Sequence, residues 1–494
     1  MNTLSTHILN KLKTSSFPKL AIKCQQTNSW KWVENKFVNG SIETCRHRLR
    51  QLNIKPGQRV VYKGNNSLEW ISWNIACNSL GIIWVPLYTN QPYQYTEHVI
   101  RDCNPSLVIS DDNNIFKMHG ELKQISNQIT NNVVYQGDTE FKTNEKNIAN
   151  IIYTSGTTGS PKGVVLTNDN IISNVEAVRR MFHTVNNITS LNILPWAHIY
   201  SQTCELYYNL IYDNQMAIST GKDNFMNECR EIKPEVLYVV PKLLEMVKQK
   251  IEILDKPVIQ LVLPHILKQI FGGNIRYIFT GGAKLKDNVK KFYIENDILI
   301  CEGYGCSETA PMISVNHFED PRNINSIGKI LDNVLVNIIN GEIQVSGPNV
   351  MLGYWNDKEK TNEVLVKRDN KLWYKTGDSG GIENGFLYYN GRISDNYKLS
   401  NGKFVNVETV EGVISDFVET PFIIYGEHDT HNALITTENI SKMTLDLINE
   451  NLDKQLQIKS VVVLDDATMS KFYTPKMSIK RKKLVEYVST LKTV

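Results

Sequence analysis

Apolar positions in the first hundred residues change period several times. Ile42, Cys45, Leu49 and Leu52 recur at helical spacing, and beyond the Pro56-Gly57 turn residues 58–62 read as a strand. A helix over 68–80 leads to a strand over 82–87, and a helix over 94–101 to a strand over 107–110. This alternation predicts parallel sheets covered by helices. Residues 70–86 are apolar enough to suggest a membrane span, which needs about 20 predominantly apolar residues. Asn74, Asn78 and Gly81 interrupt them, so a buried helix followed by a core strand is the plainer expectation. Residues 111–147 are polar and carry no readable period.

Farther on, β-favouring residues 150–153 and 164–166 flank a polar loop, which predicts a hairpin. A helix over 168–181, a strand over 191–195, helices over 205–210 and 241–251, and strands over 236–240 and 275–280 continue the alternation. Residues 341–348 alternate as a strand, and the glycines and aromatics from there to Arg392 predict a small β region. The α/β pattern then restarts with a helix over 407–417, strands over 421–425 and 460–464, and a last helix from Lys482. Two domains are expected, 1–394 and 395–494, joined by a short hinge near Asp395.

Composition narrows the partners more than the fold. With 41% hydrophobic and 21% charged residues among 494, the chain has the make-up of a soluble globular protein. Its net charge of +3 gives no reason to expect nucleic acid. Eight scattered cysteines fit free thiols in a reducing compartment, and no Cys/His pairs have zinc-site spacing. Lysines and polar residues break every apolar run in 1–17, so no signal peptide is expected and a cytoplasmic location follows.

The hairpin loop is the strongest chemical signal. Tyr153-Thr-Ser-Gly-Thr-Thr-Gly-Ser-Pro-Lys-Gly163 gathers glycines, hydroxyls and one lysine, which suits wrapping a polyphosphate with backbone N–H groups, hydroxyls and a positive charge. Lys162 follows a proline and leads into a strand, unlike the common NTPase loop, so a kinase or P-loop ATPase is disfavoured. Three later stretches add functional groups: Tyr304-Gly-Cys-Ser307-Glu308-Thr309, Tyr374-Lys-Thr-Gly-Asp378, and Gly391-Arg392-Ile-Ser-Asp395. Each alone would be weak, since a loop Asp is most often a turn or cap residue and a lone Arg a surface charge.

Together, and in this order, these motifs resemble the adenylate-forming, acyl-activating enzyme superfamily over residues 33–481. Leu194-Pro-Trp196-Ala-His198, Tyr397-Lys398-Leu-Ser-Asn-Gly402-Lys403 and Thr474-Pro475 look most like the long-chain fatty acyl-CoA synthetases. The resemblance implies an α/β fold: a large N-terminal domain of two helix-flanked sheets plus a small β-barrel, and a small mobile α+β C-terminal domain that rotates about Asp395. It implies that a fatty acid, of medium or long chain, attacks the α-phosphate of ATP to give acyl-adenylate and pyrophosphate, and that coenzyme A then displaces AMP. In this reading Thr154, Ser155, Gly156, Thr157, Thr158, Gly159 and Lys162 hold the β and γ phosphates. Thr157 and Glu308 hold Mg²⁺, and Ser307 donates to the α-phosphate. Gly281, Gly282 and Ala283 sandwich adenine with Tyr304, while Asp378 and Arg392 read the ribose. His198 lies beside the reacting carboxyl or is a structural histidine after Pro195. Lys398 and Gly402 belong to the loop that admits the thiol.

One position departs from the pattern. The family has a lysine that bridges carboxylate and α-phosphate, and here Ser478 stands at the matching place. A serine is neutral and too short to replace it. Without compensation, adenylation would slow about a hundredfold to a thousandfold. Lys480 is the favoured substitute because Arg481 beside it keeps the register, with Lys476 as the other candidate, and both also read as members of a solvated basic run. A weak or inactive homologue that binds nucleotide or acyl ligand, and an acyl-AMP ligase with a carrier-protein acceptor, therefore stay open. Trp196 either narrows an acyl tunnel or packs in the core. The basic start of the last helix either touches an anionic membrane or is a solvated face.

Overall fold

The computed structural model describes residues 3–24, 26–112, 124–125, 147–154, 160–183, 185–252, 257–317, 323–427, 429–473 and 479–491. Most of the unreadable polar stretch 111–147, the loop residues 155–159 and the segment 474–478 lie outside these.

Helix Leu68–Ser79 begins where the Ser67 side chain accepts from the Trp70 amide. Each of its residues from Trp70 to Ser79 is buried, so it is wrapped by core on all sides. It leads into strand Ile83–Leu87, the centre of a seven-stranded sheet. That strand pairs in parallel with Arg59–Lys63 and with Ile148–Thr154. Antiparallel pairing of Ile148–Thr154 with Lys162–Thr167 forms the expected hairpin. Thr167 ends the hairpin and caps helix Asn168–Met181: its hydroxyl accepts from the Asn170 amide, and its own amide donates to Asn170 Oδ1. Among the described residues, no helix is long and apolar enough to cross a membrane.

A second, larger sheet carries a parallel run through Leu20–Lys23, Gln215–Ile218, Thr189–Asn192, Val236–Val239, Tyr277–Thr280 and Leu299–Gly305. From Leu299–Gly305 it continues through antiparallel strands that include Met312–Val315, Phe386–Arg392, Lys371–Glu383 and Glu342–Ser346. This is the smaller β unit. Beyond it, Phe422–Tyr425, Asn432–Thr436 and Ile458–Val463 form a three-stranded sheet. Its two hydrophobic clusters draw only on residues from Tyr397 onward.

The helix expected over 407–417 ends at Ile414, and two elements near His198 differ more from the pattern in the sequence. The strand expected over 191–195 stops at Asn192, because the Asn192 side-chain amide donates to the Leu194 carbonyl and turns the chain ahead of Pro195. The helix expected over 205–210 is a π-helix, Ser201–Tyr207, followed by the short α-helix Tyr208–Ile211. Trp196 is fully buried and meets Trp70 edge-on at 5.4 Å, so it packs in the core.

Candidate functional site

Two neighbouring strand ends create the first part of the site. Thr280 is paired with Glu302 in parallel register, so Gly281 arrives beside Gly303, where a Cβ on residue 281 would lie 3.3 Å from the Gly303 carbonyl oxygen. Gly282 follows at φ +85°, a left-handed conformation that favours glycine. Gly281, Gly282 and Ala283 open onto a cleft of about 2220 Å³ that is also bordered by His198, Tyr200, Tyr389 and Glu408.

Strand Leu299–Gly305 carries Tyr304 past this turn, and its hydroxyl donates to Asp378 Oδ2 at 2.6 Å. Asp378 is buried, paired with Arg392 (Nε to Oδ1, 2.9 Å), and braced by its own amide donating to Thr376 Oγ1. Arg392 also donates to the Thr376 carbonyl. Burial raises the Asp378 carboxyl above the usual aspartate range, outweighing the opposing pull of Arg392 and of the Tyr304 hydrogen bond. Burial, then Asp378, holds Tyr304 far above its ordinary value, so it stays a donor. The Tyr389 ring lies 6.0 Å from that of Tyr304 and joins this cluster to the cleft.

The two described ends of the loop lie on a second side of segment 304–308. Thr154 and Lys162 face each other across the hairpin at the mouth of the loop. Strand Gly353–Tyr354 adds to the hairpin, pairing Tyr354 with Val164, and Lys162 Nζ sits 5.5 Å from the Tyr354 ring centroid. The Tyr354 hydroxyl donates to Glu308 Oε1 at 2.8 Å. Burial and then Glu308 raise its pKa, which keeps the phenol protonated. Tyr354 thus links the phosphate-loop lysine to the carboxylate expected to hold a metal, a role the motifs alone did not suggest. Ser307 is buried at the start of the turn that presents Glu308. Among the described residues no group of three or more His, Cys, Asp or Glu could hold a metal. Glu308 is nonetheless a hard oxygen donor, and Mg²⁺ is usually held by one or two carboxylates together with substrate phosphate oxygens.

His198 rides on the turn after Asn192. Its Nδ1 accepts from the Tyr200 amide at 3.2 Å. Behind Tyr200 lies an apolar cavity of about 20 Å³ walled by Phe182, Tyr208, Tyr238, Phe279 and Cys204, with room for about one water.

The C-terminal residues border the cleft from the opposite side. Lys284 pairs with Glu408 at 2.9 Å, and Asn288 donates to the Ser415 carbonyl. Tyr473 and Ile479 form a bridge at the cleft edge, at the two ends of the segment that contains Lys476 and Ser478. Lys480 stands before helix Arg481–Leu491, its amide donating to the Phe472 carbonyl, while Arg481 is clamped to both oxygens of Glu411. Lys398 and Gly402 sit on the hairpin between Tyr397–Lys398 and Phe404–Val405, away from the cleft lining. Gly402 has φ +82° with no atom within 4 Å of a Cβ, so the turn rather than crowding calls for glycine.

Known proteins resemble this arrangement. The profile of a family described as AMP-binding enzyme matches residues 25–355. Long chain acyl-CoA synthetase 3 of Arabidopsis thaliana is 26% identical, over 80% of this chain and 71% of that protein. Long-chain-fatty-acid–CoA ligase 5 of Rattus norvegicus is 26% identical over 78% of this chain and 68% of its own length. ATP-bound MatB from Rhodopseudomonas palustris shares the fold at a TM-score of 0.82 and 21% identity, covering 99% of both chains.

Proposed function

Because the chain belongs to the AMP-binding enzyme family, we propose that it activates a carboxylic acid with ATP as an acyl-adenylate and passes the acyl group to the thiol of coenzyme A. The relatives named for long-chain acids favour a fatty acid of medium or long chain. The observation that carries the reading is the convergence on segment 304–308 of two clusters, Tyr304–Asp378–Arg392 and Lys162–Tyr354–Glu308.

Each residue's part follows from what it can donate or accept. Asp378 accepts from ribose hydroxyls while Arg392 and Tyr304 hold it in place. Gly281, Gly282 and Ala283 offer a flat backbone face to adenine, with the Tyr304 ring near it. Lys162 and Thr154, at the mouth of the loop, hold the outer phosphates, and Ser307 donates to the α-phosphate. Glu308 and Thr157 would hold Mg²⁺, which when bound offsets charge on the transferring phosphate and the leaving pyrophosphate. His198, accepting at Nδ1, carries its ring proton on Nε2 when neutral and can donate to the acid's carboxylate. The C-terminal residues 395–494 form the domain that moves between the two half-reactions, with Lys480 replacing the lysine missing at Ser478.

The test is pyrophosphate release by the purified protein with ATP, Mg²⁺ and a panel of fatty acids, with and without coenzyme A. Acid-dependent release is expected, falling by about a hundredfold in Lys480→Ala and much less in Lys476→Ala. Bound ATP without acid-dependent release would instead mark a binding protein.

A further inference from the structure

A series of side-chain hydrogen bonds is directed at the turn that carries His198. Asn66 Nδ2 donates to Asn192 Oδ1 at 2.6 Å and to the Leu194 carbonyl at 2.7 Å, and Asn66 Oδ1 accepts from the Trp196 amide at 2.9 Å. Asn192 Nδ2 donates to the same Leu194 carbonyl and, at 2.6 Å, to Glu205 Oε2. Glu205 lies on the π-helix Ser201–Tyr207, and Ser201 and Gln202 of the same element bond back to the carbonyls of Pro195 and Trp196. The carbonyls of Leu194, Pro195 and Trp196 and the Trp196 amide are therefore tied to the Glu205–Asn192–Asn66 chain or to its helix.

Glu205 is an expensive residue to place here. Its side chain has no exposed surface, no cation pairs with it among the described residues, and Oε1 is buried without a hydrogen-bond partner. Burial pushes its carboxyl well above the usual glutamate range, which favours the neutral acid. A neutral carboxyl offers Asn192 an acceptor without bringing a charge into the core, and a carboxamide would do the same.

We propose that Glu205, Asn192 and Asn66 are positioning residues that fix the turn carrying His198 and so hold its imidazole in one orientation. The proposal rests on the reading that His198 serves the reacting acid. A displacement of about 1 Å in such a group costs about a hundredfold in rate.

The test uses the whole protein with ¹³C-labelled histidine, the His198 signal being assigned by its absence in His198→Ala, together with acid-dependent pyrophosphate release. In Glu205→Ala the His198 resonance is expected to move and kcat to fall by about a hundredfold with KM for ATP unchanged. Glu205→Gln, isosteric with the neutral acid, should restore both. Asn66→Ala, at the less buried end of the chain, should move the same resonance and serves if Glu205→Ala does not fold. An unmoved His198 signal in Glu205→Ala or Asn66→Ala overturns the proposal, as does a Gln variant that behaves like Ala. If wild type releases no pyrophosphate with any acid, the proposed reaction fails, and the resonance still decides the positioning role.

Discussion

Burial raises the Glu205 carboxyl above the ordinary glutamate pKa of about 4.3 near which the unfolded chain gives up its proton. Above that pH the native state binds one more proton than the unfolded state, so stability falls as pH rises until the raised native pKa is passed. The expected slope from this one group is about 1.4 kcal/mol per pH unit. Urea unfolding followed as pH rises above the ordinary glutamate range should show wild type losing stability against Glu205→Gln, and parallel curves would refute it. Asp378 has the same sign for a different use: its raised carboxyl accepts more strongly from ribose once ionised, so affinity for ATP is expected to rise with pH through a value above the usual aspartate range. Asp378→Asn should remove that pH dependence and raise KM for ATP by about tenfold to a hundredfold, since hydrogen bonds to charged groups are worth about 1.5–3 kcal/mol. Glu308, Asp378 and Arg392 could be singled out as candidates because they occur in ordered motifs. Asn66 and Glu205 could not, because an asparagine in a polar turn and a glutamate among aromatics carry no pattern until the fold brings them to Asn192.

Among the elements, the hairpin Ile148–Thr154 with Lys162–Thr167 shows how much a neighbour adds. Strand Gly353–Tyr354 pairs with it from a distant part of the chain, and that pairing alone puts the Tyr354 ring by Lys162 and its hydroxyl on Glu308. Tyr354→Phe keeps the ring and loses the hydrogen bond. It is expected to lower acid-dependent pyrophosphate release by about tenfold, with the melting temperature nearly unchanged. Tyr354→Ala should cost more in both. The hydrophobic period foretold the hairpin, helix Asn168–Met181 and strand Leu107–Ser110 to the residue or nearly so. It missed the π-helix because widening a helical turn depends on what packs around it, and it overran Asn192 because a side-chain bond, not a polar residue in the pattern, ends that strand.

For the molecule as a whole, the question is how the residues after Asp395 are held. Their cores are their own, and the links to the preceding part include the Lys284–Glu408 pair, the Asn288 bond to Ser415 and the Asn406 bond to the Asn390 carbonyl. Both members of the ion pair keep about a third of their side-chain surface exposed, and such pairs are worth about 0–1 kcal/mol. Lys284→Ala is accordingly expected to change global stability by less than about 1 kcal/mol. It should nonetheless speed hydrogen exchange in helix Val407–Ile414, and unaltered exchange there would mean that other contacts hold the segment. By itself the sequence determined the α/β alternation and the family resemblance, because each depends on residue types at short spacing. Only the tertiary structure decided that Trp196 is core and that Tyr354 joins Lys162 to Glu308. It alone decided, too, that a buried Glu205 with a raised pKa braces the turn that carries His198, since pairing, burial and the pKa it perturbs depend on packing that no short stretch of chain contains.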